Sequence, residues 1–422
     1  MIKEAYIKTC DEVSLHIAKS KIESIRTKDI IKSAIRLYDQ GKVGIAGSLG
    51  EFDEGALTKK ALEHLELGIS YPMNASSDRV ETREYVHIDL DAYDFICEIE
   101  EMLDDHCHQF PDFYFHHDIH YNFETYHLKN DAGLDLFQRA RYINYTLNLK
   151  RKNSQNANDG TVTLYNTTFD KESVSNVIAS LCEGLSKPAV VPEGKIPVAF
   201  FCHDMLYSRI FVEALNGISY GSGSSLFAGK RDKKIFSNAL TLYQSRNVED
   251  QFFGSFFDSE GVVNNEDRYV LVDRGVLKSP FTDKLTANQF ALPLTGAAGG
   301  EFDSIPDLDR VHFTFKRSEQ NFSELLSSSG TNYPHKEVLL ILAPTGGSYS
   351  TDGHFSLHLQ TGLLYDGEKF VHPVHDLTLT SDAHQMFGKD WIGSPRDTLL
   401  GVNGLQAVCM WMTVQPTSKK KN

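Results

Sequence analysis

The stretch DFYFHHDIHYNFETYHLKNDAGLDLFQRARYINYTLNLK, residues 112–150, constrains the fold most. It is dense in aromatic and β-branched residues, which favour extended pleated structure. Its one break is Asn130-Asp131-Ala132-Gly133, a turn composition. The segment therefore reads as a long β-hairpin, and whatever surrounds it must cover two long strands. Helices are available for that purpose. FDEGALTKKALEHLELG has a cap at Asp53 and a stop at Gly68. DAYDFICEIEEMLDDHCHQF carries a stripe of Phe95, Ile96, Ile99, Met102 and Leu103. DKESVSNVIASLCEGLSK places Val174, Val177, Ile178, Leu181 and Cys182 on one face. The first 50 residues read as a helix followed by a hairpin turning at Asp39-Gln40-Gly41.

Pro188, Pro192 and Pro197 crowd SKPAVVPEGKIPV, and proline limits both helix and sheet. This is the expected boundary between a domain at 1–187, with helices on a sheet and the long hairpin, and a β-rich domain at 188–422. A chain of 422 residues is long enough for such a division. Beyond the boundary EVLLILA, GHFSLHLQ and AVCMWMTVQ read as strands. RYVLVDRGVLKSPF and GLLYDGEKFVHPV read as hairpins. Two helices are expected, CHDMLYSRIFVEALNG from Cys202 to Gly217 with Asp204 as its cap, and TDKLTANQFAL. The fold class is α+β, with a barrel- or sandwich-like C-terminal domain.

Net charge is −15, from 42 basic and 57 acidic residues. That balance opposes approach to a phosphate backbone, so nucleic acid is not an expected partner. No apolar run approaches the roughly 20 residues of a membrane span. The charged start, MIKEAYIKTCDEV, has no signal-peptide core. The six cysteines, Cys10, Cys97, Cys107, Cys182, Cys202 and Cys409, are scattered with no CxxC pair. This is the usage of a reduced, cytoplasmic protein.

Seventeen histidines invite a search for metal. His106, His108, His116, His117, His120 and His127 lie within one stretch. Along a strand, His116 and His120 share a face but stand roughly 13 Å apart, too far to bind one ion. A polar sheet face is the simpler reading. Nucleotide and covalent chemistry are poorly served. GSGSSLFAGKRD, Gly221 to Asp232, lacks the spacing and the Ser or Thr of a phosphate loop. No G-x-S-x-G elbow assigns a base to Ser222, Ser224 or Ser225, and no H-E-x-x-H occurs.

Several stretches together resemble the TldD/PmbA family of metallopeptidase-related proteins. They are GKVGIAGS followed by a helix, and NDAGLDLFQRARYINYTL, similar to the family's N-S-x-G hairpin. FFDSEGVVNNEDRYVLVDRGVLKSPFTDKLTANQFALPLTGAAGG carries its F-D-x-E-G turn. GGSYSTDGHFSLHLQTGLLYDGEKFVHPVHDLTL is similar to its C-terminal sheet. The matches span most of the chain in order. TldD-like members carry H-E-x-x-x-H on a helix and form the zinc protease subunit; PmbA-like members, also called TldE, lack it. Setting LYSRIFVEALNG against that helix puts Ser208, Arg209 and Glu213 at the His, Glu and second His. A hydroxyl, a guanidinium and one acid are a poor zinc site, and His203 and Cys202 precede the helix out of register. Cys409, the only late cysteine, lies in an apolar strand-like run.

The resemblance thus implies a TldE-like chain with no metal of its own. Zinc is expected only in a TldD-like partner chain, and catalytic residues in this chain are unassigned. Pairing with that partner or with itself is expected, as is a role in processing or degrading peptides. Gly221, Gly223, Gly229, Gly299 and Gly300 are candidates for close approach of a peptide backbone, with ordinary turns as the alternative. Two other readings stay open. One is a self-sufficient peptidase using Glu213 as base, with Cys202, His203 or histidines of the 106–127 region as ligands. The other is a non-catalytic binding or regulatory homodimer.

Overall fold

The computed structural model describes residues 1–201, 205–250, 254–309, 312–328, 337–399 and 405–417. Strands β1 (Ile2–Ala18), β2 (Lys21–Asp39) and β3 (Lys42–Leu49) open the chain, followed by helix α1 (Glu54–Glu66), β4 (Arg79–Tyr85) and α2 (Ala92–Gln109). The long hairpin is β5 (Phe113–Asn130) and β6 (Leu134–Arg151); β7 (Gly160–Asn166) and α3 (Lys171–Ser186) complete this part. The sheet order is β3-β2-β1-β5-β6-β4, with β7 also on β6. All pairs are antiparallel except β4 on β6.

The opening segment is therefore strand where the sequence reading expected a helix. In β1 the buried residues Val13, Leu15 and Ile17 alternate, the period of a half-covered sheet. Charged residues between them hide that period. The β1–β2 turn has positive φ at both Lys19 (49°) and Ser20 (65°), a primed turn whose twist suits a hairpin, built without the usual Asn-Gly signal. The turn at Gln40-Gly41 is of the same kind (φ 47° and 74°) and falls where the sequence placed it. The long hairpin turns as expected. Asn130 Oδ1 accepts the backbone N–H of Ala132 (2.9 Å) and Leu134 (3.2 Å), and Gly133 has φ 85°.

After β8 (Gly194–Phe201) come α4 (Met205–Ala214), α5 (Gly217–Gly221), β9 (Leu242–Ser245), β10 (Arg268–Asp273), β11 (Val276–Leu277), α6 (Lys284–Phe290), β12 (Ala298–Gly299), β13 (Asp307–Leu308), β14 (Phe313–Phe315) and α7 (Phe322–Ser328). The long strands β15 (Val338–Tyr349), β16 (His354–Tyr365) and β17 (Phe370–Asp382) follow, then α8 (Ala383–Met386), β18 (Trp391–Gly393) and β19 (Ala407–Pro416). The ladder β17-β16-β15-β8-β19 closes on itself, because β17 also pairs with β19 from Leu377↔Pro416 to Thr380↔Thr413. The C-terminal part therefore contains a closed five-stranded barrel. Closure leaves no free sheet edge within that ring. The strands β11-β10-β9-β14 form a separate small sheet.

One hydrophobic core joins the sheet to the barrel. It holds Leu147, Leu149 and Val162 of the sheet, Leu181 and Leu185 of α3, and Ala199, Leu340, Leu363 and Trp411 of the barrel. The other large core lies on the barrel's opposite side and buries Tyr207, Ile210 and Phe211 of α4.

Candidate functional site

Helix α4 carries the positions that the resemblance singles out. Its apolar residues Tyr207, Ile210, Phe211 and Ala214 are buried, which anchors it on the barrel. The helix does not run to Gly217. Leu215 N bonds to Phe211 O (2.9 Å), Asn216 then caps the N–H groups of Ile218 and Ser219, and α5 begins at Gly217. A Cβ at Gly217 would stand 2.7 Å from Phe281 O. Cys202, His203 and Asp204 lie outside the described residues, so the cap and both out-of-register ligand candidates lie there too.

Ser208 is 2% exposed and sits on the inward side of α4. Arg209 and Glu213 face outward, and the Arg209 Nε donates to Glu213 Oε1 at 2.7 Å. The three positions thus present a buried hydroxyl, a cation and a carboxylate already held by that cation. This trio does not fit a zinc ion, which needs several converging donors and is repelled by a neighbouring guanidinium. The pair is exposed, so it contributes little to stability. Arg209→Ala is expected to move the unfolding midpoint by no more than about 0.5 kcal/mol equivalent, measured by urea denaturation. Cys409 in β19 is buried within the sheet–barrel core, opposite Ala199 and Gly393.

The candidate glycines divide. A Cβ at Gly221 would stand 2.2 Å from the Phe290 ring, and one at Gly299 would stand 2.4 Å from Asp309 Oδ2. At both positions the chain itself fills the space. Gly300 has φ 96°, with Asp307 Oδ1 2.9 Å from the position of a Cβ. Gly223 and Gly229, with φ 83° and 68°, face open space. The histidines of the β5 region are spread out and several face an acid. His127 pairs with Asp135 at 2.8 Å and His120 with Glu12 at 3.5 Å. His106 is buried at the end of α2, in contact with Ser175 Oγ at 3.1 Å.

The F-D-x-E-G turn proves to be the centre of a buried polar network. Phe256 and Phe257 pack on Tyr126, Leu128, Leu134 and Leu136 of the hairpin. Gln138 of β6 accepts from Phe256 N and donates to Gly254 O, both at 2.9 Å. Asp258 ties the turn together, accepting from the backbone N–H of Glu260, Val262 and Ala298 at 2.8–3.0 Å. Gly261 has φ 73°, and a Cβ there would stand 2.8 Å from Leu134 Cδ2, so the motif's glycine is required by both backbone and packing.

Glu260 is 3% exposed and accepts from Tyr71 Oη (2.5 Å) and Lys284 N (2.9 Å). Burial, with the Asp258 charge beside it, pushes its carboxyl up to about 7. Burial also raises Asp258. Next to them Arg36 Nη1 donates to Ser259 O (2.6 Å) and lies 3.4 Å from Glu4 Oε1. Glu4 also accepts from Tyr38 Oη (3.0 Å) and Asn130 Nδ2 (3.1 Å). Strands β1, β2 and β5 are thereby fastened to the turn. None of Glu4, Arg36, Tyr38 or Tyr71 stands out in the sequence, because their partners lie up to 223 residues away; the motif itself was the only signal.

A model of the PmbA/TldA metallopeptidase C-terminal domain matches residues 194–403, the stretch that begins at β8 and contains α4 and the F-D-x-E-G turn. Among curated relatives, a metalloprotease PmbA homolog of Buchnera aphidicola is 26% identical over 190 residues, 44% of this chain and 38% of that protein. A metalloprotease TldD homolog of Haemophilus influenzae is 25% identical over 227 residues, 52% of this chain and 44% of that protein. These matches span less than half the length of either relative. The crystal structure of TldE from Thermococcus kodakarensis superposes with a TM-score of 0.77 at 14% identity, covering 98% of this chain and 96% of that one. The matched domain, the relatives' names and the shared fold agree: the chain belongs to the PmbA/TldD family.

Proposed function

We propose that this chain is the non-metal-binding, TldE/PmbA-like subunit, or a homologue of it, of a cytoplasmic zinc metalloprotease that processes or degrades unfolded peptides. The observation that carries the reading is on α4. Ser208 is buried, and Arg209 occupies the carboxylate of Glu213 at 2.7 Å. In this reading zinc and the catalytic residues belong to a TldD-like partner, and this chain helps form the chamber and hold an extended peptide. The open backbone at Gly223 and Gly229 supports those two as peptide contacts. Gly300 stays with them, and Gly221 and Gly299 contribute by shaping the loops. The division into domains 1–187 and 188–422 belongs to the same proposal. Pairing with a TldD-like chain is favoured over self-pairing because relatives with TldD and TldE names both match.

The test combines the purified chain with a TldD-like partner. Size measurement, elemental analysis and cleavage of an unstructured peptide are compared for each chain alone and for the mixture. The expected result is a mixed assembly that cleaves, with zinc assigned to the partner. Strong zinc-dependent cleavage by this chain alone would falsify the subunit reading.

A further inference from the structure

We propose that a cleft between β14, α7, β18 and β19 binds the carboxylate end of a peptide through its terminal apolar residue. This rests on the peptide-handling role above and adds which end of the peptide is held. The cleft encloses about 480 Å³. Both tryptophans of the chain, Trp391 and Trp411, line it beside Ile392 and Leu325. Lys316, Arg317 and Lys389 line the same cleft, with Ser318 and Ser328.

The cations are not committed to acids among the described residues. Two nearby carboxylates are already paired, Asp390 with Lys195 at 2.6 Å and Asp250 with Arg268 at 2.7 Å. Arg317 reaches only the backbone O of Arg396, at 3.5 Å. Glu319 is the single acid among the described lining residues. In a chain of net charge −15, three uncommitted cations at one cleft reverse the local field and attract an anion. Trp391 adds a second observation. It is 7% exposed, and its indole N–H is buried without an acceptor among the described residues. A buried donor in that state is destabilising.

The chemistry selects a carboxylate on an apolar body. Arginine and lysine favour carboxylates through charge-assisted hydrogen bonds, and indole and aliphatic walls bury a side chain. A phosphodiester chain is a poorer fit, since it needs a basic track longer than this pocket. Lys316 and Arg317 also border a second cleft of about 630 Å³, which contains Tyr243, Glu249 and Glu266. The two residues therefore form the wall between the clefts.

Because both tryptophans line the cleft, the intact chain reports on it directly through its fluorescence. The probes are an unstructured peptide ending in leucine with a free carboxylate, the same peptide as its C-terminal amide, and inorganic phosphate. The free acid is expected to give a saturable change in tryptophan emission that weakens with salt. Half-saturation is expected about tenfold or more higher for the amide, and likewise for the acid with the Arg317→Ala/Lys389→Ala variant. Unchanged circular dichroism and unfolding midpoint show that the variant is folded; if it is not, the acid–amide comparison on the unaltered chain decides. Equal responses to acid and amide, or no response, overturn the proposal. So does phosphate displacing the peptide as well as a second peptide does. The measurement needs neither zinc nor partner. A mixture that cleaves peptide while the tryptophans stay silent removes only this inference, and binding without cleavage by any mixture removes only the subunit role.

Discussion

Arg36→Met is expected to destabilise the protein by about 3–5 kcal/mol, the cost of leaving a buried charge without its partner. Arg36 and Glu4 are each 1% exposed. With the guanidinium gone, Glu4 keeps only the donors Tyr38 Oη and Asn130 Nδ2. Ser259 O loses its 2.6 Å donor at the same time. Methionine replaces much of the aliphatic stem, so the loss reports the guanidinium, which stands 5.8 Å from the Tyr6 ring centre, more than a cavity. The double variant Glu4→Gln/Arg36→Met removes the orphaned charge and is expected to recover at least about 1 kcal/mol relative to Arg36→Met alone. Urea denaturation of the four proteins measures the cycle. A loss below about 1 kcal/mol for the single variant, or no recovery in the double, would show that the buried pair does not fasten the turn. Hydrogen exchange gives the location. Because Arg36 bonds to Ser259 O, the amides of Glu260 and Val262, which bond to Asp258, should lose protection before those of β5 and β6.

What could be read in the sequence was local. The Asp53 cap lies where it was expected, and α2 and α3 are capped in the same way by the aspartates that open their segments. Asp53 accepts from Gly55 and Ala56, Asp91 from Asp94, and Asp170 from Ser173. Each such signal needs only a side chain and the next three residues. The hairpin turn at Asn130–Gly133 is equally local, and so is the apolar stripe of α2, where Phe95, Ile99, Met102 and Leu103 are buried. The strand entering the opening hairpin was identified by its turn at Asp39-Gln40-Gly41 and not by its own pattern. In β2 the alternation vanishes from Ser33 to Tyr38, where six consecutive residues are buried. Ile35 and Leu37 pack toward α1, while Tyr38 packs with Val43, Ile45 and Tyr71. A strand covered on both faces loses period two and cannot be told from a helix by pattern alone.

The long-range features left no such trace. Closure of the barrel depends on β17 meeting β19, a pairing that no single strand encodes. The F-D-x-E-G motif was visible as a resemblance, but its reasons were not. They are a carboxylate that ties three backbone N–H groups and a glycine held against Leu134. At the candidate site, the sequence named Ser208, Arg209 and Glu213 through alignment with a helix. That Arg209 closes on Glu213 follows from their spacing of four residues on a helix. That Ser208 turns inward depends on the barrel beneath it.

The Glu260 carboxyl makes the fold's stability depend on pH in a defined direction. Its folded-state value is raised from the ordinary 4.5 to about 7 by burial and by Asp258. Between those two values the folded protein holds a proton on Glu260 that the unfolded chain has released. Stability therefore falls as pH rises through this window. The contribution is fully present below about 4.5, is lost progressively up to about 7, and is flat above it. At about 1.4 kcal/mol per pH unit, the loss amounts to about 3 kcal/mol. Glu260→Gln imitates the protonated side chain at every pH. It can still accept from Lys284 N, and Tyr71 Oη remains in reach of its amide. The variant is thus expected to match or fall slightly below the natural protein near the acid end. It should overtake it by up to about 3 kcal/mol at about pH 8. Burial raises Asp258 in the same sense; Asp258 is present in both proteins, so the difference between them isolates Glu260. Unfolding midpoints across the range decide the matter, since two curves that stay parallel from acid to alkaline pH would show that Glu260 titrates alike in the folded and unfolded chains. The consequence for the family motif is physical. Its acid is placed where ionisation is costly, so near neutral pH the charge beside the Tyr71 hydroxyl depends on a single proton.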